Sequence, residues 1–345
     1  MAGPAPSPVI TAGRNSTPPS PSVSTASTTG STSTASRCPA AFQSQAVGYF
    51  NGIQFVSPER GWVVGQREIL ATTDGGAHWI ALTDPCIRSV HFVSPLTGFA
   101  IAGGTGSRSS SPAPANGGRV LATTDGGQSW RAVRAPANAQ TVCFDNARQG
   151  WLGAAGWLYQ SADGGRSWAL VTAGAKQLRA GYTATMEVQC AGAGTAWVLD
   201  LGPGAEASQQ PHIGYYASPA GAAPLFAEQY FPHPGVFVTA ESPGSYAGPI
   251  SAISATAAAF IDFCPACGAG TVPWDLVSGS GRSIIREGTV GGQLTQPESA
   301  SFLSAHLGWV LGVVTKYGAG ARPRQFQRVV STSDGGRNWQ VLYTS

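Results

Sequence analysis

The chain has 345 residues, of which only 11% are charged, and its formal net charge is +3. This weak charge gives no support for nucleic-acid binding, and the sequence contains no run of 18 or more apolar residues that would predict a membrane-spanning helix. We therefore expect no nucleic-acid partner and no membrane-spanning segment in this chain. About 300 residues follow an N-terminal tract of simple composition, which is enough for one large all-β domain.

The N-terminal tract, residues 1–37, consists almost entirely of Ala, Gly, Pro, Ser and Thr and contains no aromatic residue. Such a segment cannot bury enough apolar surface to offset its chain entropy, so we predict a disordered linker at 1–40 and a folded domain at 41–345. A Ser/Thr/Pro tract before a β domain is typical of a stalk. We therefore expect an extracytoplasmic protein (secreted, periplasmic or attached to the cell envelope) whose export signal or anchor is not present in this sequence.

A stretch of eight residues occurs four times, at 72–79, 123–130, 161–168 and 332–339. Each copy has the pattern Thr/Ser-x-Asp-Gly-Gly-x-x-Trp and lies between two short apolar runs, which predicts a tight hairpin between two strands. The Asp carboxylate can accept hydrogen bonds within its own turn, and the glycines can adopt positive φ. We expect a structural role for the following residues: Thr72, Asp74, Gly76, Trp79, Thr123, Asp125, Gly127, Trp130, Ser161, Asp163, Gly165, Trp168, Thr332, Asp334, Gly336 and Trp339.

A second, looser signature precedes each of these repeats: an apolar strand, then Gly and further apolar residues, as in Gly61-Trp62 and Gly98-Phe99. Each unit then has four strands, which indicates a propeller blade. The signature persists between the third and fourth repeats, in two units whose hairpin pattern is lost at 217–221 and 277–282. The sequence predicts an all-β propeller of four-stranded blades, six preferred. Seven is the alternative, if residues 231–250 contain another unit or residues 41–43 add a closing strand.

The four repeats resemble the Asp-box, or BNR, repeat of the sialidase-like superfamily of β-propellers. The pattern Gly-Trp-Val-x-Gly at 61–65, combined with the repeat at 72–79, is most similar to the photosystem II assembly-factor-like propellers. The resemblance covers residues 46–342. It implies a propeller in which each box lies at the turn between the third and fourth strands of a blade, away from the ligand face. It also implies a scaffold role, without identifying the partner.

The cysteines number six, and an even number favours disulfides and an oxidising compartment. Cys38 opens the folded region and Cys86 follows the first repeat, so a bond between them would tie down the N-terminus. Cys143 and Cys190 occupy nearly equivalent places in neighbouring units and can bridge them. The remaining pair, Cys264 and Cys267, can close on itself, and a redox or metal site is the alternative for that pair.

The strand order of a propeller blade determines which face carries which loops. The first-to-second and third-to-fourth turns lie on one face, together with the repeats. The long second-to-third loops and the crossings between blades lie on the opposite face, where binding residues usually occur. This loop face is basic, so we expect a monomeric, non-catalytic protein that binds a protein or glycan partner there. The candidate ligand-binding residues are Arg67, Arg88, Arg179, Arg322 and Arg324, and the alternative is that they are ordinary solvated charges.

The second hypothesis for function is a glycoside hydrolase of the exo-sialidase-like type, acting on an extracellular or cell-surface glycan. Resemblance to sialidases implies three arginines that clamp a carboxylate, a Tyr nucleophile activated by a Glu, and an Asp acid/base. The first-blade arginine motif of those enzymes does not occur, and the catalytic candidates are limited to Tyr182, Glu187 and Glu298. The five histidines show no metal-ligand spacing, so we expect no metal and no cofactor.

Overall fold

The computed structural model describes residues 23–25, 49–65, 68–82, 86–103, 118–154, 157–171, 185–192, 194–201, 212–217, 225–230, 246–263, 272–278, 283–316 and 323–345. Within these residues the regular structure is entirely β apart from one short 3-10 helix at Gly291–Gln293. The prediction of an all-β fold is therefore confirmed.

The described strands form six sheets, each built on four antiparallel strands that follow one another in chain order, and sheet 1 has one further strand, β1 (Val23–Thr25), at its outer edge. Sheet 1 contains β2 (Phe50–Phe55), β3 (Gly61–Gly65), β4 (Ile69–Thr72) and β5 (Trp79–Leu82). Sheet 2 contains β6 (Ile87–Phe92), β7 (Gly98–Ala102), β8 (Arg119–Thr123) and β9 (Arg131–Val133). Sheet 3 contains β10 (Ala139–Phe144), β11 (Gly150–Ala154), β12 (Trp157–Ser161) and β13 (Ala169–Leu170).

The other three sheets come from the second half of the chain. Sheet 4 contains β14 (Thr185–Cys190), β15 (Thr195–Leu201), β16 (His212–Ala217) and β17 (Leu225–Tyr230). Sheet 5 contains β18 (Tyr246–Ser254), β19 (Ala257–Phe263), β20 (Pro273–Ser278) and β21 (Ser283–Thr289). Sheet 6 contains β22 (Gln296–Phe302), β23 (Gly308–Lys316), β24 (Arg324–Thr332) and β25 (Gln340–Thr344). Strands therefore form in the two units without a repeat as well as in the four with one.

The first strands of successive sheets contact one another all the way round, and β22 of the last sheet contacts β2 of the first. Sheets joined in this way form a ring, so the predicted propeller of four-stranded blades is confirmed. The four antiparallel strands of each sheet come from one continuous stretch of chain. The ring is thus closed between the two ends of the folded region by side-chain contacts rather than by an exchanged strand.

An aromatic cluster explains the Gly-containing signature of each unit. The first strand of sheet 2 ends at Phe92, whose ring lies where a side chain on Gly98 would stand, because a Cβ there would be 2.5 Å from the ring. The same ring meets the repeat Trp130 edge-on at 6.0 Å and stacks on Trp62 of sheet 1 at 3.5 Å. The absence of a side chain at Gly98 therefore leaves room for the Phe92 ring, which packs between sheets 1 and 2.

Equivalent contacts recur around the ring. Phe55 stacks on Trp309 of sheet 6 at 3.8 Å, and Phe144 stacks on Phe99 of sheet 2 at 3.6 Å. Each also meets the repeat Trp of its own sheet edge-on, as Phe302 does in sheet 6. The hydrophobic core is consequently divided into clusters that lie mainly between neighbouring sheets.

The inner edge of the ring is held by the residue that precedes each of these phenylalanines. Gln54 accepts a hydrogen bond from Phe92 N at 2.6 Å and donates to Phe92 O at 3.0 Å. His91 Nε2 contacts Phe144 O at 2.7 Å, and Ser301 Oγ accepts a hydrogen bond from Phe55 N at 2.9 Å. These side chains satisfy backbone groups at the free edge of the neighbouring strand, where unpaired groups would otherwise remain.

Between sheets 3 and 4 the same position holds a disulfide. Cys143 precedes Phe144 and is bonded to Cys190, the last residue of β14. The predicted bridge between neighbouring units is therefore present, and Cys143 stands where Gln54, His91 and Ser301 make hydrogen bonds at three other junctions. Cys86 is also disulfide-bonded. The other cysteines, Cys38, Cys264 and Cys267, lie outside the described residues, so their pairing stays a prediction.

The repeats lie between the third and fourth strands, and their turns all have the same hydrogen bonds. In the first one, Thr72 Oγ1 accepts from Gly76 N at 2.9 Å and donates to Asp74 Oδ1 at 2.8 Å. Gly75 N donates to Glu59 O in the turn between the first and second strands, so both turns are on one face of the ring. The beginnings of the first strands therefore point to the opposite face, as the sequence predicts.

One described strand precedes the propeller units. β1 (Val23–Thr25) pairs in parallel with β5, because the outermost strand of a sheet has unpaired backbone groups. The linker at 1–40 as a whole stays a prediction. One prediction is wrong: the loop pattern of the sequence predicts a long second-to-third loop at 313–327, but β23 continues to Lys316 and β24 begins at Arg324. Arg324 is consequently an exposed strand residue.

Candidate ligand site on the loop face

Four of the first strands have one extra residue near their beginning. The pairing with the second strand skips a residue between Phe50 and Gly52, and equivalent interruptions occur in β6, β10 and β22. These β-bulges place Asn51, Arg88, Gln140 and Glu298 out of the regular ladder. A bulge redirects a side chain and is common next to binding sites. We call these four residues the bulge arc.

The bulge arc lies on four consecutive sheets. Sheet 6 supplies Glu298, and sheets 1, 2 and 3 supply Asn51, Arg88 and Gln140 in that order. The first strands of these sheets contact one another, and each bulge is at the end of its strand that points to the loop face. The fold thus brings residues that are up to 247 positions apart in sequence to one side of the ring mouth, on rigid strands rather than on loops.

Three atoms of the bulge arc are buried without a hydrogen-bond partner: Asn51 Oδ1, Arg88 Nε and Gln140 Oε1. Buried polar groups normally have partners, and one left unpaired costs about 1–3 kcal/mol. Two of these atoms are acceptors and one is a donor. The arc therefore has unused hydrogen-bonding capacity of both kinds.

Arg88 provides the positive charge of the bulge arc. Its Nη2 donates to Gln140 O at 3.5 Å, which connects sheet 2 to sheet 3. Burial lowers the pKa of the Arg88 guanidinium from its ordinary value, because the charged form loses hydration. A guanidinium remains protonated in proteins, so a partly desolvated positive charge is available here for a carboxylate or another polar acceptor.

Glu298 is nearly buried and anchors the other end of the arc. Its Oε1 accepts hydrogen bonds from Tyr49 OH at 2.8 Å and from Gln296 Nε2 at 3.1 Å. Tyr49 immediately precedes β2, so this contact crosses the closure of the ring between sheets 6 and 1. Gln327 strengthens the same closure, because its side-chain amide exchanges two hydrogen bonds of 2.6 Å with the backbone of Phe50.

The sequence-predicted site residues are only partly brought together. Arg88 and Glu298 belong to the bulge arc. Glu187 is on the first strand of sheet 4, where it accepts from Gln189 Nε2 at 2.9 Å, and β18 of sheet 5 separates that strand from Glu298 around the ring. Arg324 is on the third strand of sheet 6, at the end of its hairpin with Lys316. Arg67, Arg179, Arg322 and Tyr182 lie outside the described residues.

Sequence reasoning missed Tyr49, Asn51 and Gln140, although the sequence contains a signal for two of them. Each bulge residue stands four positions before the Phe that ends its first strand, as Asn51 does relative to Phe55 and Gln140 relative to Phe144. A polar residue at this spacing from the Phe accompanies each of the four bulges. Tyr49 has no such signal, because only the closure of the ring brings it to Glu298.

No group of three or more His, Cys, Asp or Glu residues suitable for a metal ion occurs among the described residues. In the same part of the chain, no helix is long and apolar enough to cross a membrane. The bulge arc has amide, guanidinium and carboxylate groups, and Tyr49 beside it adds a phenol. Such a set can form hydrogen bonds with sugar hydroxyls or with a peptide backbone.

Comparison with known proteins gives similarity of fold alone. No protein-family model and no curated protein matches the chain. A structure of YCF48 bound to D1 peptide is 16% identical, with 85% of this chain and 80% of that chain covered and a TM-score of 0.43. YCF48 from Cyanidioschyzon merolae is 17% identical, with coverage of 85% and 84% and a TM-score of 0.46. An ancestral GH74 enzyme is 11% identical, with coverage of 86% and 38% and a TM-score of 0.44.

Proposed function

We propose that this protein is a six-bladed Asp-box β-propeller that acts outside the cytoplasm as a non-catalytic monomer and binds a protein or glycan partner on its loop face. The observation that carries the proposal is the bulge arc, in which three buried polar atoms have no partner within the protein. A ligand that supplies those partners gains hydrogen bonds that water does not already satisfy.

The rigidity of the arc supports a binding role. Its residues are on first strands whose edges are fixed by Gln54, His91 and Ser301, and whose ends are fixed by stacked aromatic rings. A preorganised site loses little conformational entropy when a ligand binds. The disulfide between Cys143 and Cys190 supports the extracytoplasmic location, because such bonds persist mainly in oxidising compartments.

Binding of the wild-type protein to a glycan array and to a peptide array tests this proposal. We expect a defined set of ligands whose signal falls at least tenfold in Arg88→Gln. The matched control is Arg337→Gln, which removes an equally charged, exposed side chain from a repeat turn on the opposite face. Ligands that bind Arg88→Gln as well as the wild type, or that are lost equally in Arg337→Gln, would contradict the assignment to the loop face.

One observation favours the hydrolase as a second candidate. Tyr49 OH donates a hydrogen bond to Glu298 Oε1 at 2.8 Å, which is the arrangement of a phenol nucleophile with its activating carboxylate. Of the three-arginine clamp that resemblance to sialidases implies, the bulge arc contains one member, Arg88. The Tyr and Glu pair is therefore a partial match to that chemistry.

A panel of fluorogenic glycosides decides between the two candidates. Turnover that disappears in both Tyr49→Phe and Glu298→Gln, while Glu187→Gln remains active, would establish the hydrolase and overturn the non-catalytic proposal. We expect no turnover by the wild type. Thermal unfolding of each variant shows whether the ring is still closed.

A further inference from the structure

A second charged feature lies on the opposite side of the molecule from the bulge arc. An open groove of about 740 Å³ runs between sheets 2 and 3 beside the repeat turns, and four arginines from the two sheets line it. Sheet 2 and the segment after it supply Arg131 and Arg134, while turns of sheet 3 supply Arg148 and Arg166. All four side chains are exposed.

The repeat turn of sheet 3 fixes the backbone around three of these arginines. The indole Nε1 of Trp168 donates to Arg134 O at 3.2 Å, and Gly164 N donates to Arg148 O at 2.8 Å. Arg166 is part of the repeat turn itself, and its Nη1 donates to Asp163 O at 3.4 Å. Arg131 is the first residue of the short edge strand β9. The rigid part of the fold thus sets the backbone positions from which these guanidinium groups extend.

The groove lining keeps a net positive charge, because it contains four guanidiniums and one carboxylate. The one acidic residue in its lining is Asp163, whose oxygens accept hydrogen bonds from Ser161, Ser167 N and Ser167 Oγ within the turn. These bonds lower the pKa of the Asp163 carboxyl to about 2. Across the described residues, the one ion pair joins His78 to Asp74, which are in a different sheet.

We propose that this groove binds a polyanionic carbohydrate, a chain whose sugars carry carboxylate or sulfate groups. Arginine pairs with such oxyanions through two parallel hydrogen bonds. The four guanidiniums come from two sheets and from separate turns rather than from one turn, which suits repeated charges on an extended chain. Thr97 and Thr124 in the lining supply hydroxyl groups that can bind sugar hydroxyls.

The lining favours a carbohydrate over the other polyanions. A peptide partner usually anchors a large apolar side chain in a pocket, but the apolar lining here consists of buried Phe99 and of small or partly covered side chains such as Ala132 and Val133. Single-stranded nucleic acid is usually held by exposed aromatic rings, and the groove lining contains none. This site does not depend on the proposed function, because it uses different residues on the opposite face.

Binding of heparin, as a sulfated probe, and of polygalacturonate, as a carboxylated probe, can be measured by calorimetry at two salt concentrations. We expect at least a tenfold loss of affinity in the double variant Arg148→Gln/Arg166→Gln for one or both probes. The control double variant Arg119→Gln/Arg337→Gln removes the same two charges from exposed positions outside the groove, and Arg337 has the same place in its repeat as Arg166. We expect this control to retain affinity within twofold.

Three results would overturn the proposal: no binding of either probe by the wild type, equal losses in the two double variants, or tighter binding of polyglutamate or single-stranded DNA than of both carbohydrates. Arg131→Gln, which alters no repeat turn, keeps the test interpretable if the double variant unfolds, and it should weaken binding by at least threefold. Because Arg88→Gln leaves the groove intact, failure of the loop-face site and failure of the groove are distinguishable.

Discussion

At the scale of single residues, the polar groups at the inner edge of the ring have defined roles. Gln54, His91 and Ser301 each stand just before a first-strand Phe, and each bonds to the backbone of the next sheet. Because a carbonyl can only accept, Nε2 of His91 must carry the proton in its contact with Phe144 O. Charging this imidazole would introduce an ion into a poorly hydrated position, and burial accordingly lowers the pKa of His91 to about 4.

This pKa predicts a specific loss of stability on acidification. In the unfolded chain His91 takes up a proton below pH about 6.5, whereas the folded protein resists until pH about 4. The contribution of neutral His91 is therefore complete above pH 6.5 and falls by up to about 3 kcal/mol as the pH drops to 4. We expect urea unfolding to show this fall in the wild type.

The matched variant is His91→Gln, because Gln54 makes the same contact one sheet earlier. Its amide cannot be protonated in this range, so the difference in unfolding free energy between wild type and variant should change between pH 6.5 and 4. A difference that stays constant over that range would show that His91 is not held neutral.

At the scale of elements, the Gly at the start of the second strand in sheets 1, 2, 3 and 6 is required by the ring that lies over it. We expect Gly98→Ala to lower the free energy of unfolding by about 1–3 kcal/mol, because the new Cβ would be 2.5 Å from the Phe92 ring and the stack on Trp62 would have to shift. Gly292→Ala is the control, since its φ is −72° and no atom lies within 4 Å of the added Cβ. If the two variants are equally stable, the Phe92 ring is not the reason for a glycine at position 98.

The disulfide between Cys143 and Cys190 joins sheets 3 and 4 at the position where three other junctions have a hydrogen bond. Replacing both Cys143 and Cys190 by Ser should lower stability by about 2–4 kcal/mol, as expected for a cross-link over 47 residues. Hydrogen exchange should rise first in the strands Ala139–Phe144 and Thr185–Cys190. Uniform exchange in all six sheets, or unchanged stability, would show that the bond does not hold this junction.

An element can be predicted from the sequence when the residues whose contacts form it lie close together in the chain. The hairpin turns are predictable because Thr72, Asp74 and Gly76 bond within one turn. The strand at Val23–Thr25 is not, because its partner is an edge more than 50 residues away. The bulges can be predicted only in part. The spacing of each bulge residue from the Phe is visible in the sequence, but the shift of its side chain out of the ladder depends on how the first strand pairs with the second.

At the scale of the whole molecule, the ring gives the protein two faces with different chemistry. One carries the repeat turns and the groove lined by arginines, and the other carries the bulge arc. The sequence predicts the two faces and the basic character of the loop face. It does not predict that Tyr49 meets Glu298 or that Arg88 lies beside Gln140, because both contacts form only when the sheets assemble around the axis.

The binding function of the bulge arc is tested most directly with Gln140→Met, which keeps the size of the side chain but removes the unpaired buried oxygen. Since an unsatisfied atom is lost, we expect the free energy of unfolding to stay the same or rise by about 1 kcal/mol. The account predicts that this stably folded variant loses most of the array signal of the wild type. A variant that keeps the full signal would contradict it.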